Sequence, residues 1–192
     1  MRRILFLLAV TVAFASCSSS VNPNILTDDQ RAQILAVCTT GQGVGDAFGA
    51  PYQPDGVNRV TSVSYLENGQ TDTAETSINQ SARDDELRSR LISYNGRPNE
   101  ISIVLCSEVV DESVGELCEF EDGFTLQWTD REYSLSVRNL QTGEVLAPAT
   151  TSSAVGRCPL ISTFSDDEPN EARTIVPSFR DQVALLESLV GG

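Results

Sequence analysis

The side chains of this chain that could do chemistry are five cysteines, Cys17, Cys38, Cys106, Cys118 and Cys158, and 27 acidic residues. There is no histidine, and all 13 basic residues are arginines. Without histidine there is no Ser-His-Asp or Cys-His pair and no imidazole ligand for zinc. Without lysine there is no Schiff base, no Ser-Lys pair and no P-loop lysine. No C-x-x-C spacing occurs, so the cysteines suit neither a thioredoxin-type redox site nor a thiolate metal site. Two carboxylates across a cleft are the one enzyme chemistry left, the arrangement a glycosidase uses. Glu108, Asp111, Glu112, Glu116, Glu119 and Glu121 crowd one short stretch. In so acidic a chain that closeness carries little weight, and a solvated face accounts for it. The acidic group Asp166-Asp167-Glu168, with Glu171 nearby, offers oxygen ligands but lacks the spacing and central glycine of an EF-hand loop, so a solvated turn is expected.

Gly41, Gly43 and Gly45 invite comparison with a phosphate loop, but Asp46 and Phe48 break both G-x-G-x-x-G registers. A helix also precedes them where a strand is required, so an ordinary loop is expected. Trp128, with Phe124, Tyr133 and Tyr65, could form a platform for sugar rings. It shares a strand face with Phe124 and Leu126, which places it in the core instead. No cofactor motif is present. The net charge of −14 disfavours nucleic acid, which is bound through clustered basic residues.

The N-terminus reads as an export signal. Met1-Arg2-Arg3 is followed by an apolar run from Ile4 to Ala15, too short to span a bilayer and right for a signal peptide. Ala13-Phe14-Ala15 fits cleavage before Ser16, while Phe14-Ala15-Ser16-Cys17 resembles the bacterial lipobox, in which the cysteine is acylated and becomes the new N-terminus. An odd cysteine count in an exported chain asks for an explanation. Acylation of Cys17 supplies one, leaving Cys38, Cys106, Cys118 and Cys158 for two disulfides. The expected organisation is a lipoprotein-type signal peptide over 1–16, a polar tether over 17–26 and one β-rich domain over 27–192. The lipid then provides the membrane attachment, since an acidic domain is repelled by an anionic surface.

The elements that would position these groups follow from periodicity. Thr27-Asp28-Asp29-Gln30 has the form of a capping box, predicting a helix from about Asp28 to Cys38 that stops at Gly41. Residues 41–57 form a glycine-rich loop, and Val57–Tyr65 a strand closed by Asn68-Gly69. Ser81–Asp84 caps a short peripheral helix containing Leu87 and Leu91. Ile101–Cys106 is a buried strand, expected to pair with Leu117–Phe120 across a short hairpin. Glu121-Asp122-Gly123 makes a turn. Phe124, Leu126 and Trp128, then Tyr133, Leu135 and Val137, alternate with polar residues at the period of a half-buried strand. Gln141-Thr142-Gly143 turns the chain into Glu144-Val145-Leu146. Pro177 opens a final helix with Phe179, Val183, Leu186 and Val190 on one face. The fold class is therefore mainly β, an antiparallel sheet or sandwich with one helix at each end, stapled by disulfides. Of three possible pairings, the short hairpin favours Cys106–Cys118, which leaves Cys38–Cys158.

Val104-Leu105-Cys106, Cys118-Glu119-Phe120, Thr142-Gly143-Glu144-Val145, Cys158-Pro159 and the final amphipathic helix resemble a loose group of uncharacterised bacterial exported and lipid-anchored proteins. The resemblance implies export and disulfides and supplies no catalytic residues. The functional expectation is a non-catalytic binding or envelope-associated module, with a membrane contact through its N-terminal lipid and an envelope protein or glycan as partner. The alternative is a small carboxylate-based hydrolase acting on glycans.

Overall fold

A computed structural model of the chain describes residues 26–71, 91–93, 97–121, 123–159 and 170–189. The export signal with Cys17, the helix expected near Ser81 and the acidic group at 166–168 lie outside the described residues. The first helix, α1 (Asp28–Thr40), is set by its ends: Thr27 Oγ1 accepts from the Gln30 N–H at 3.2 Å, and Gln30 Oε1 accepts from the Thr27 N–H at 3.0 Å. This reciprocal cap satisfies two donors that a helix start leaves open. The helix stops at Gly41, as expected.

Six strands form one sheet among the described residues: β1 (Asn58–Leu66), β2 (Leu91–Ser93), β3 (Ile101–Glu119), β4 (Thr125–Asn139), β5 (Val145–Ala154) and β6 (Asn170–Thr174). Their order is β2-β1-β3-β4-β5, and β6 lies along the first half of β4 while β5 lies along the second. The mainly-β class is as expected, and the β3–β4–β5 meander is antiparallel. The sheet as a whole is mixed, because β1 joins β3, β2 joins β1 and β6 joins β4 in parallel. Alternation along a strand tells which residues share a face and is silent on strand direction. Leu91, expected in a helix, stands in β2.

The expected hairpin between Ile101–Cys106 and Leu117–Phe120 is corrected. Both segments, apart from Phe120, belong to β3, a single 19-residue strand. The real hairpin turns at Glu121–Gly123, where Phe120 accepts from the Gly123 N–H at 3.0 Å. The disulfide pairing changes with it. Cys106 and Cys118 sit twelve residues apart on one extended strand, about 40 Å at the rise of a β-strand, beyond any bridge. Cys38 instead bonds Cys106, and Cys118 bonds Cys158.

The sheet carries a helix on each face, which removes the need for the second sheet of a sandwich. On one face Ile34, Val37 and Cys38 of α1 pack with Val104, Cys106, Leu140 and Phe48. On the other, Leu185 and Leu186 of α2 (Phe179–Glu187) pack over Val60, Ile103, Leu105, Tyr133, Leu135 and Val137. Tyr133 is fully buried, and its hydroxyl donates to the Ile175 carbonyl at 2.6 Å. The glycine-rich loop docks on the β4–β5 turn, with Val44 N–H donating to Leu140 O and Gly45 N–H to Gln141 O. Side chains do not fit there: a Cβ on Gly43 would lie 2.1 Å from Gln141 O, and one on Gly143 would lie 1.9 Å from Gly41 O. Close backbone packing, and no phosphate, explains those glycines.

Candidate functional site: a polar cleft beside the first helix

Cross-strand register builds the site. Tyr65 on β1 stands beside Glu108 on β3, and Glu108 beside Ser134 on β4. One row along, Val63, Cys106 and Ser136 are neighbours, and beyond them Arg138 stands beside Val104. All project on the α1 side. The helix covers only the apolar part of this face, and where the side chains turn polar the face opens. The result is a cleft of about 660 Å³, floored by Glu108, Ser134, Ser136 and Arg138. Cys38 and Thr39 of α1 and Glu67-Asn68-Gly69 after β1 border it, with Val145 and Ala149 of β5 also lining it. The Cys38–Cys106 bond fastens the last turn of α1 to the sheet centre and so holds one wall in place.

The polar alternation Ser134, Ser136, Arg138, read from sequence as the outer side of a half-buried strand, is thus the floor of a cleft. Arg138 donates through Nη1 to the Gly143 carbonyl at 3.0 Å. Its Nε is buried and has no hydrogen-bond partner among the described residues. Tyr65 is buried, and its phenol is pushed up to about 12, first by desolvation and then by the negative charge of Glu108, with Arg138 opposing. A phenol held there stays protonated at neutral pH and keeps its O–H as a donor beside Glu108. The cleft therefore offers one guanidinium, two carboxylates (Glu67 and Glu108) and two serine hydroxyls.

Of the six acidic residues that the sequence grouped, Glu108 alone lines this cleft. The others string out along β3 and its turn, because the strand runs on where a hairpin was expected. Glu112 pairs with Arg131, and Glu116 Oε2 accepts from the Cys158 N–H at 3.2 Å. Glu67, not singled out from sequence, supplies the second carboxylate; it follows the end of β1, and the pairing of β1 with β3 carries it to the cleft. Two carboxyls are held below the usual range outside the cleft: Glu100 by a hydrogen bond from Arg97, aided by Arg59, and Glu171 by Arg173.

The aromatic residues form no shared platform. Tyr133 is buried on the α2 face, Tyr65 lies on the α1 face, and Trp128 is half-buried over Gly156, where a Cβ would meet the indole at 2.3 Å. No group of three metal-ligating side chains occurs among the described residues.

Both disulfides belong to an oxidising, non-cytoplasmic compartment. No helix among the described residues is long and apolar enough to cross a membrane. Comparison with family models, with curated proteins and with solved structures finds no match to this chain.

Proposed function

We propose that the chain is an extracytoplasmic binding module, tethered through an acylated Cys17, whose cleft takes a carboxylate-bearing glycan of the cell envelope. The observation that carries this reading is the convergence of Arg138, Glu67 and Glu108 in one cleft on a disulfide-pinned floor. Sugar hydroxyls donate to the carboxylates, and a ligand carboxylate receives the guanidinium, whose fork suits it. Clefts with a few convergent polar groups and a perturbed ionisation are the usual place for a small ligand. The test is calorimetry with a uronate-containing oligosaccharide and its neutral counterpart. Preferential binding of the uronate, reduced to parity by Arg138→Gln, supports the reading; failure of both sugars to bind sinks it. Intact mass from a membrane fraction checks the tether, which requires a lipid adduct on Cys17 and no free thiol.

A second reading, the glycan hydrolase, is favoured by Glu67 and Glu108 lining the same cleft. It predicts release of new reducing ends from the same oligosaccharides, abolished by Glu108→Gln and by Glu67→Gln separately. Binding without turnover decides against it.

A further inference from the structure

β3 outruns its neighbour. The pairing of β1 with β3 ends at Leu66 beside Val109. From Val110 to Glu119, no strand among the described residues lies along the side of β3 that faces away from β4. We propose that this free edge is a docking site for an extended partner segment in which apolar residues alternate with lysine or arginine, added as a strand in the lane that β1 vacates.

Four observations support it. The first is chemical: a strand edge presents unpaired N–H and C=O groups, and an extended segment satisfies them whatever its sequence. The second is the side chains along the edge. Val110, Val114 and Leu117 are 46%, 83% and 52% exposed, unusual for large apolar residues spaced along one strand. Asp111, Glu116 and Glu119 stand among them. An added strand sets its side chains opposite these, so apolar residues meet Val114 and Leu117, which share one face, and basic residues meet Asp111 on the other.

Third, the lane has a shaped beginning. Where β1 ends, a groove of about 360 Å³ is lined by Leu66, Glu67, Asn68, Val110, Asp111 and Glu112. Its apolar walls and carboxylate rim receive the end of a basic segment. Fourth, the edge is held rigid, so little ordering is needed on binding. Cys118–Cys158 pins its far end, Glu112 pairs with Arg131, and Gln127 Nε2 donates to the Gly115 carbonyl at 3.0 Å where β3 bulges.

Charge selects the partner. The chain carries −14, and a second copy laid edge to edge would set carboxylate against carboxylate. The same acidity that discourages self-pairing attracts a cationic strand.

The experiment uses the full chain with a synthetic ten-residue peptide of alternating valine and lysine. Its comparators are a valine–glutamate peptide and a valine–lysine peptide with N-methylated amides. Affinity is read by fluorescence anisotropy, and amide exchange is followed across residues 110–119. The basic peptide is expected to bind and to slow exchange at the edge at least tenfold. The acidic and N-methylated peptides are expected to lose at least tenfold in affinity. Val114→Arg should weaken binding about tenfold, while Val57→Arg, at another exposed valine, just before β1, and Arg138→Gln in the cleft leave it unchanged. Equal binding by the N-methylated peptide would reduce the effect to bulk charge and overturn the proposal. So would edge amides already protected in the free monomer, which would mean that the chain covers its own edge, or protection that grows with protein concentration, which would mean a second copy.

Discussion

Tyr65 and Glu108 stand side by side on parallel strands, and burial, with the carboxylate's charge beside it, holds the tyrosine hydroxyl protonated at the floor of the cleft. The pair joins fold to site, because the phenol ring belongs to the core under α1 while its oxygen faces the polar side chains.

Ionising Tyr65 should unfold the protein from the alkaline side. Its folded phenol is raised from 10.0 to about 12. The stabilisation is fully present below pH 10 and is lost as pH rises through about 12, because the unfolded chain releases the proton first. Thermal melts between pH 9 and 12 should show a steep fall that Tyr65→Phe makes shallower. A phenolate absorbance titration should show late-titrating absorbance that is reduced in the variant.

On the acid side the sign reverses. Glu100 is held below the ordinary carboxylate range by Arg97 and then Arg59, and Glu171 by Arg173. Their contribution is present above that range and is lost as pH falls through the lowered folded values. Urea midpoints from pH 6 down to 2 should decline, and Glu100→Gln with Glu171→Gln should flatten the decline. Exposure keeps the effect small.

Each disulfide should contribute similarly to stability. The bonds close separations of 68 and 40 residues. Chain entropy gives about 4 kcal/mol for each. Cys38→Ala with Cys106→Ala should also speed amide exchange in the last turn of α1 and weaken ligand binding in the cleft. Cys118→Ala with Cys158→Ala should speed exchange at the hairpin tip and leave the cleft intact.

Two glycines with the same backbone conformation should respond differently to alanine. Gly143 and Gly123 have φ of 74° and 79°. A Cβ at Gly143 meets Gly41 O at 1.9 Å, whereas one at Gly123 meets nothing within 4 Å. Gly123→Ala should cost about 1–2 kcal/mol for the left-handed backbone alone. Gly143→Ala should add overpacking for about 2–5 kcal/mol in all, or displace the 41–45 loop. Urea denaturation of both variants checks the difference.

What local chemistry governs could be read from the sequence. The Thr27 cap, the stop at Gly41, the turns at Gly69, Gly123 and Gly143, and the alternation that buries Tyr133, Leu135 and Val137 each depend on residues a few positions apart. That Cys38, Cys106, Cys118 and Cys158 are all bonded also agrees with counting them. Which cysteine meets which was decided by tertiary structure, because pairing depends on where β3 ends, and nothing between Cys106 and Cys118 interrupts an extended strand. The cleft was likewise invisible. Ser134, Ser136 and Arg138 give the same alternation whether they face open water or a helix-walled hollow. Only the register of β1, β3 and β4, joining residues some 25 to 45 positions apart, brings Tyr65, Glu108 and Ser134 into one row.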